Sequence, residues 1–167
     1  MSWWFKIFKQ MAVINLTTTI DAPIERCFDL ARSIDLHMLS TSKTAERAVA
    51  GTTSGLIGEG EEVTWEARHF GIMQRLSVRI ESVDRPRYFV DRMLRGAFKS
   101  MTHRHIFREH GTGTIMTDEL EFEAPLGVLG RIFSALVLTG YMRRFLVERN
   151  VVLKQTAESD EWRRYLA

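Results

Sequence analysis

Apolar and polar residues alternate with a period of two through the middle of the chain and switch to helical spacing on either side. Ala12 to Ile20, rich in Val, Ile and Thr, reads as a strand. Asp21 followed closely by Pro23 marks a helix start, and Ile24, Phe28 and Ala31 recur at helical spacing to about Arg32. Ser33 is placed to cap a second short helix through Leu39. Gly51 to Gly60 holds four glycines and no periodicity, which predicts a loop. From Gly60 to Ala124 strand follows strand, with turns at Gly71, at Asp84-Arg85-Pro86, at Gly96 and at His110-Gly111-Thr112-Gly113. Gaps this short predict an antiparallel meander, because parallel neighbours need a long crossover. Pro125 stops the sheet, and Leu126 to about Glu158 reads as one long helix. Its expected inner stripe is Leu129, Phe133, Leu136, Gly140 and Arg144, flanked by Ile132, Val137, Tyr141 and Phe145. The expected fold class is therefore α+β. A curved antiparallel sheet wraps around the long C-terminal helix, which alone can cover its apolar face, and two short helices follow the first strand.

Strand parity predicts which side chains face the interior. The inward sets are Val63, Trp65, Ala67 and His69; Gln74, Leu76, Val78 and Ile80; Phe89, Asp91 and Met93; Met101, His103, His105 and Phe107; and Met116, Asp118, Leu120 and Phe122. Register checks the assignment, since a one-residue slip flips a whole strand. A two-residue Phe70-Gly71 turn pairs His69 with Ile72 and Trp65 with Leu76. The Gly111-Thr112 turn pairs Phe107 with Met116 and His105 with Asp118, and a short turn after Arg95 sets Asp91 opposite His103.

An apolar inner face that also carries His69, Gln74, Asp91, His103, His105 and Asp118 needs an explanation, because a buried ionisable group costs several kcal/mol unless partnered. Three arrangements satisfy it. The first is a closed network of Asp91 with His103 and His105 with Asp118 that completes the interior. The second is a set of polar anchors in an apolar ligand pocket lined by Trp65, Leu76, Met93, Met101, Leu120 and Phe122, with Phe133 and Val137 of the helix. The third is acid–base chemistry by His103, His105, Asp91 or Asp118. The His103-x-His105 spacing sets both rings on one strand face, as metal sites require, with His69 or Asp118 as further donors. With no cysteine in support, the sequence assigns neither a metal nor a cofactor. His37, on the second short helix, is a further candidate, and His110 lies in a turn.

Composition narrows the function. Of 167 residues, 45% are hydrophobic and 26% charged, with a net charge of +2 and no basic run, which argues against a nucleic-acid partner. Cys27 is the one cysteine, so an internal disulfide is excluded and a reducing, cytoplasmic compartment fits. It lies among apolar residues, as a core residue rather than a nucleophile does. No apolar run is long enough to cross a bilayer. Met1 to Gln10 holds five large apolar residues and two lysines without the layout of a signal peptide. Packing on the body is the expectation for this extension, with interfacial membrane contact as the alternative. There is no nucleophile elbow, phosphate loop or dinucleotide fingerprint.

Several segments carry a family resemblance: Ser33-Ile34-Asp35-Leu36-His37, Ala50 to Gly58, Val63-Thr64-Trp65-Glu66-Ala67-Arg68-His69-Phe70-Gly71, Gly96-Ala97-Phe98, His103-Arg104-His105-Ile106-Phe107 and Pro125-Leu126-Gly127. Together they resemble the bacterial START-like (SRPBCC) proteins of the polyketide cyclase/dehydrase-like or cell-division-inhibitor-like branch, from about Val13 to Glu158. The resemblance implies the helix-grip fold, a cavity between sheet and long helix, and no obligatory metal or nucleotide. The expected organisation is one domain over residues 12–158, with an aromatic extension at 1–11 and a tail at 159–167. The expected function is binding of a small, largely apolar or aromatic molecule by a carrier, sensor or scavenger, as a monomer or homodimer. A cyclase or dehydratase on a polyketide-like substrate and a protein-interaction role in cell division are the alternatives.

Overall fold

A computed structural model describes residues 11–124 and 137–166. The aromatic N-terminal segment, Phe133 and the expected first turns of the long helix lie outside the described residues. Seven strands follow the alternation: β1 (Ala12–Ile20), β2 (Arg47–Gly51), β3 (Glu62–His69), β4 (Ile72–Asp84), β5 (Tyr88–Arg95), β6 (Ser100–His110) and β7 (Gly113–Glu123). They form one antiparallel sheet in the order β1-β7-β6-β5-β4-β3-β2. Register shifts at Ala48/Ala50, Ser77/Val78 and Ile80/Ser82 add the local bends by which the sheet curls. The paired positions include His69 with Ile72, Trp65 with Leu76, Asp91 with His103, His105 with Asp118 and Phe107 with Met116. These are the pairs that turn length and parity predict.

Strand β2 is absent from the sequence reading. Arg-Ala-Val-Ala-Gly is short and mostly exposed, so it shows neither alternation nor a buried run. Gly51 closes it at φ +75, with its Cα against the Glu62 carbonyl; a Cβ there would lie 2.1 Å from that oxygen.

Helices α1 (Ile24–Ala31) and α2 (Ile34–Ser40) close one end of the sheet. Ser33 caps α2 by accepting the Leu36 N–H at 3.2 Å. Phe28 of α1 is fully buried and meets Phe89 and Phe107 edge-on at 5.6 and 5.4 Å. The long helix α3 (Thr139–Ala157) crosses the concave face beside β1. Its buried face is Leu146, Arg149, Asn150, Leu153, Thr156 and Ala157. The expected stripe is thus rotated: Gly140 and Arg144 are exposed, and Val137 is 44% exposed. Arg143 and Lys154 of α3 donate to the Asn15 and Thr19 carbonyls of β1 at 3.3 and 2.5 Å. After α3 a 3-10 turn (Asp160–Trp162) and α4 (Arg163–Leu166) fold back on α1, with the Arg26 guanidinium 4.5 Å over the Trp162 ring. No helix among the described residues is long and apolar enough to cross a membrane.

Candidate functional site

Between the concave sheet and α3 the structure leaves a cavity of two chambers, about 190 and 110 Å³. They share Glu46, Trp65, Leu76, Met101, Met142 and Phe145 as a common wall. The larger, apolar chamber lies at the β3–β4 hairpin end, where Ala67, His69, Gln74, Phe98, Leu138 and Tyr141 complete its lining. The smaller chamber reaches the α1–α2 junction; most of its wall is apolar too, but Asp91, His103, His105 and Arg149 form its floor, and it is called the polar chamber after them.

Four polar side chains sit around the shared wall, in two pairs. The His37 ring stacks on Trp65 at 4.2 Å, and its Nε2 meets Glu46 Oε2 at 3.0 Å. Burial alone would raise the Glu46 carboxyl, but His37 beside it and His69 farther off outweigh that and hold it below its ordinary value. His69 Nδ1 lies 2.7 Å from the Tyr141 hydroxyl. Burial pushes His69 down, so it is neutral near pH 7, and burial pushes the Tyr141 phenol up.

The floor of the polar chamber is built on Asp118, which is fully buried. Asp118 accepts from His103 Nε2 at 3.0 Å and from Asn150 Nδ2 at 2.6 Å. His105 lies between two carboxylates, with Nδ1 2.7 Å from Asp118 Oδ1 and Nε2 3.2 Å from Asp91 Oδ1. These are ion-pair distances without hydrogen-bond alignment, and both His105 Nδ1 and Asp91 Oδ1 lack an aligned partner. Arg149 Nη1 stands 3.6 Å from Asp118 Oδ1. Burial would raise both aspartates, but the histidines hold Asp91 low and Asp118 well below the usual carboxylate range. Burial and then the charge of His105 push His103 down. His105 moves the other way, since its two carboxylates outweigh its burial. A neutral His103 that donates through Nε2 keeps a lone pair on Nδ1, which has no hydrogen-bond partner among the described residues.

The chain matches the family described as polyketide cyclase/dehydrase and lipid transport over residues 11–158. It belongs to that family. Several solved structures are similar to the chain, and at these identities the likeness is one of fold. TTHA0849 from Thermus thermophilus is 19% identical, with a TM-score of 0.72 over 87% of this chain and 97% of that one. Ginseng major latex-like protein 151 from Panax ginseng is 15% identical, with a TM-score of 0.66 over 89% and 99%. A START superfamily protein from Mycobacterium smegmatis is 13% identical, with a TM-score of 0.66 over 87% and 97%. No curated protein matches the sequence.

Within this cyclase/dehydrase helix grip, Trp65, His69, Gln74, Leu76, Asp91, Met101, His103, His105 and Leu120 line one or both chambers. Four expected lining residues do not. Met93 lies beyond the last β5–β6 pair, Arg92 with Thr102, and packs against the core from its margin. Asp118 is sealed behind the two histidines that bind it. Phe122 is one layer back, its ring 5.2 Å from Phe98, which lines the apolar chamber in its place. Val137, two residues before α3, is 44% exposed, and the chamber is lined here by Leu138 and by Tyr141, Met142 and Phe145 of α3. Asp91 also departs from the expected pairing: it is opposite His103 in register, yet its carboxylate meets His105 on the diagonal. Glu46, Tyr141, Arg149 and Asn150 escape the sequence reading. Glu46 stands in a segment with no periodicity, and Arg149 and Asn150 look like solvent-face residues of a helix.

Proposed function

We propose that the chain binds a small, largely apolar molecule in the two-chamber cavity, as a carrier, sensor or scavenger. One observation carries this reading: two chambers with six lining residues in common lie between the sheet and α3, one walled mainly by apolar side chains and the other ending on a floor of Asp91, His103, His105 and Arg149. An amphipathic guest matches that gradient. Its apolar body displaces water from Trp65, Phe98, Met142 and Phe145, and its polar end meets His103 or Arg149. Together the chambers stand at the low end of the range of about 300–1,000 Å³ for small-molecule sites, so the guest is small. Met101 and Met142 on the shared wall adapt to guests of different shape.

Native mass spectrometry of freshly purified protein, followed by titration with a naphthalene sulfonate dye and medium-chain fatty acids, tests the reading. Saturable binding at one site per chain is expected. Ala67, 3% exposed on the wall of the apolar chamber, is the position for a block. Ala67→Phe should weaken binding at least tenfold while the melting temperature is kept. Equal binding by wild type and Ala67→Phe, or no saturable binding of any probe and no co-purified mass, overturns it.

A further inference from the structure

The polar floor holds an arrangement that binding of an apolar molecule does not require. One donor atom from each of Asp91, His103 and His105 lies within 4.8 Å of the others. We propose that these three side chains form a binding site for one divalent transition-metal ion of the Zn²⁺ or Co²⁺ class, open on its fourth side to the polar chamber.

Three features of the floor point to a cation. The first is the donor set. Two imidazoles and one carboxylate suit Zn²⁺ and its neighbours, and three protein ligands leave one position free. His105 Nε2 and Asp91 Oδ1 are 3.2 Å apart. Two donors on one tetrahedral ion with bonds of about 2.0–2.1 Å sit about 3.3 Å apart, so this edge is already at ligating distance.

The second is the way the histidines are held. A metal-binding histidine characteristically donates its other ring N–H to a carboxylate, which fixes tautomer and orientation. Asp118 does this for His103 Nε2 at 3.0 Å, and the same oxygen stands 2.7 Å from His105 Nδ1, within reach of that ring though not aligned with it. The nitrogens left over are His103 Nδ1 and His105 Nε2, and it is the latter that faces Asp91. Asn150 holds the other Asp118 oxygen and Arg149 stands 3.6 Å from the shared one, so Asp118 is committed to supporting the rings and Asp91 is the carboxylate that remains for the ion.

The third is an unmet need. Asp91 Oδ1 is buried without an aligned hydrogen-bond partner. Unpartnered buried carboxylate oxygens are costly, and a cation beside Asp91 Oδ1 removes the deficit. None of the three depends on the small-molecule reading, and a metal-free chain can still bind an apolar guest.

The test uses the full chain, stripped with chelator and dialysed. Co²⁺ alone is titrated in, with the visible d–d absorption of the bound ion as readout, and Zn²⁺ is then added in competition. Uptake of one Co²⁺ per chain, loss of colour with one Zn²⁺, and a higher melting temperature with metal are expected. Asp91→Asn, nearly isosteric, should weaken Co²⁺ at least 100-fold. Asp118→Asn, which touches only the supporting layer, should weaken it about 10–100-fold. His110→Gln, exposed at the last residue of β6, should leave it unchanged. Near-ultraviolet circular dichroism shows that each variant is folded. If Asp91→Asn does not fold, His105→Gln takes its place. The proposal is overturned by failure of the wild-type chain to take up one Co²⁺. It is equally overturned by uptake that survives in folded Asp91→Asn, or that disappears in His110→Gln. Dye binding by the metal-free chain is measured alongside, so loss of the metal site and loss of the small-molecule reading are separate results.

Discussion

Replacing Asn150 by leucine should destabilise the protein by about 2–3 kcal/mol through a single buried carboxylate. Asn150 is 2% exposed, and its Nδ2 donates to Asp118 Oδ2 at 2.6 Å and to Thr18 Oγ1 at 3.2 Å. Asp118 has no contact with solvent, so water cannot replace the lost donor. A hydrogen bond to a charged group contributes about 1.5–3 kcal/mol, and an orphaned acceptor adds a desolvation cost of similar size. Two effects reduce the total: leucine gains apolar burial in a pocket of nearly its own shape, and Asp118 keeps His103 and Arg149 on its other oxygen. For a chain of this length the loss corresponds to a fall in melting temperature of about 4–12 °C. Equilibrium unfolding in urea at pH 7 measures it, with an unchanged m-value showing that the denatured state is not altered. The decisive arm is the double-mutant cycle. In an Asp118→Asn background the carboxylate is gone, and Asn150→Leu should then cost under about 1 kcal/mol. A loss under about 1 kcal/mol in the wild-type background, or an equal loss in both, would refute the view that the polar floor depends on Asn150 to satisfy Asp118.

Two further substitutions probe the frame of the cavity. Gly51→Ala should cost at least about 2 kcal/mol, because a left-handed φ of +75 is joined by a Cβ 2.1 Å from the Glu62 carbonyl oxygen. Gly55→Ala, with a similar φ of +73 but open space around it, should cost only about 1 kcal/mol in the same urea assay. Asp29 joins α1 to Arg32 and to Arg85 of the β4–β5 turn at 2.8 and 2.7 Å. Burial would raise its carboxyl, but Arg85 and Arg32 outweigh this and hold it below its ordinary value. A lowered folded pKa stabilises above the unfolded value near 3.9, and that stability is lost as pH falls through the folded one. Asp29→Asn should therefore lose about 1 kcal/mol at neutral pH, a figure that allows for the half-exposed Arg85, and converge on wild type once pH falls below the folded pKa. A deficit that persists at the acid end would show that packing, not charge, is what the substitution removes.

Sheet, register and the inward placement of the histidines were legible because a period of two leaves little freedom. Once Trp65 and Phe107 face inward, His69, His103 and His105 must follow on their strands. The α3 face was not legible, because its buried side carries Arg149, Asn150 and Thr156, and such a helix has no clean apolar stripe. Strand β2 left no signal, since an exposed edge strand of small residues has no buried side to pattern. Glu46 was invisible for another reason. Its partners His37 and His69 come from α2 and β3, and only the closed fold brings a lone acid between two distant histidines. The diagonal contact of Asp91 with His105 likewise depends on where the side chains swing within a correct register.

An antiparallel sheet that is not closed into a barrel has two margins, and each is a template on which a foreign strand can grow. On β1 that template is spoiled from within: Arg143 and Lys154 of α3 reach across to the Asn15 and Thr19 carbonyls, which an incoming strand would need. At the other margin β2 is five residues long and interrupted by a bulge, too short and too bent to extend. The helix that roofs the cavity therefore has a second task, keeping apart molecules whose open sheets would otherwise zip together. Loss of Arg143 and Lys154 together would be felt first as aggregation on storage, before any change at the chambers.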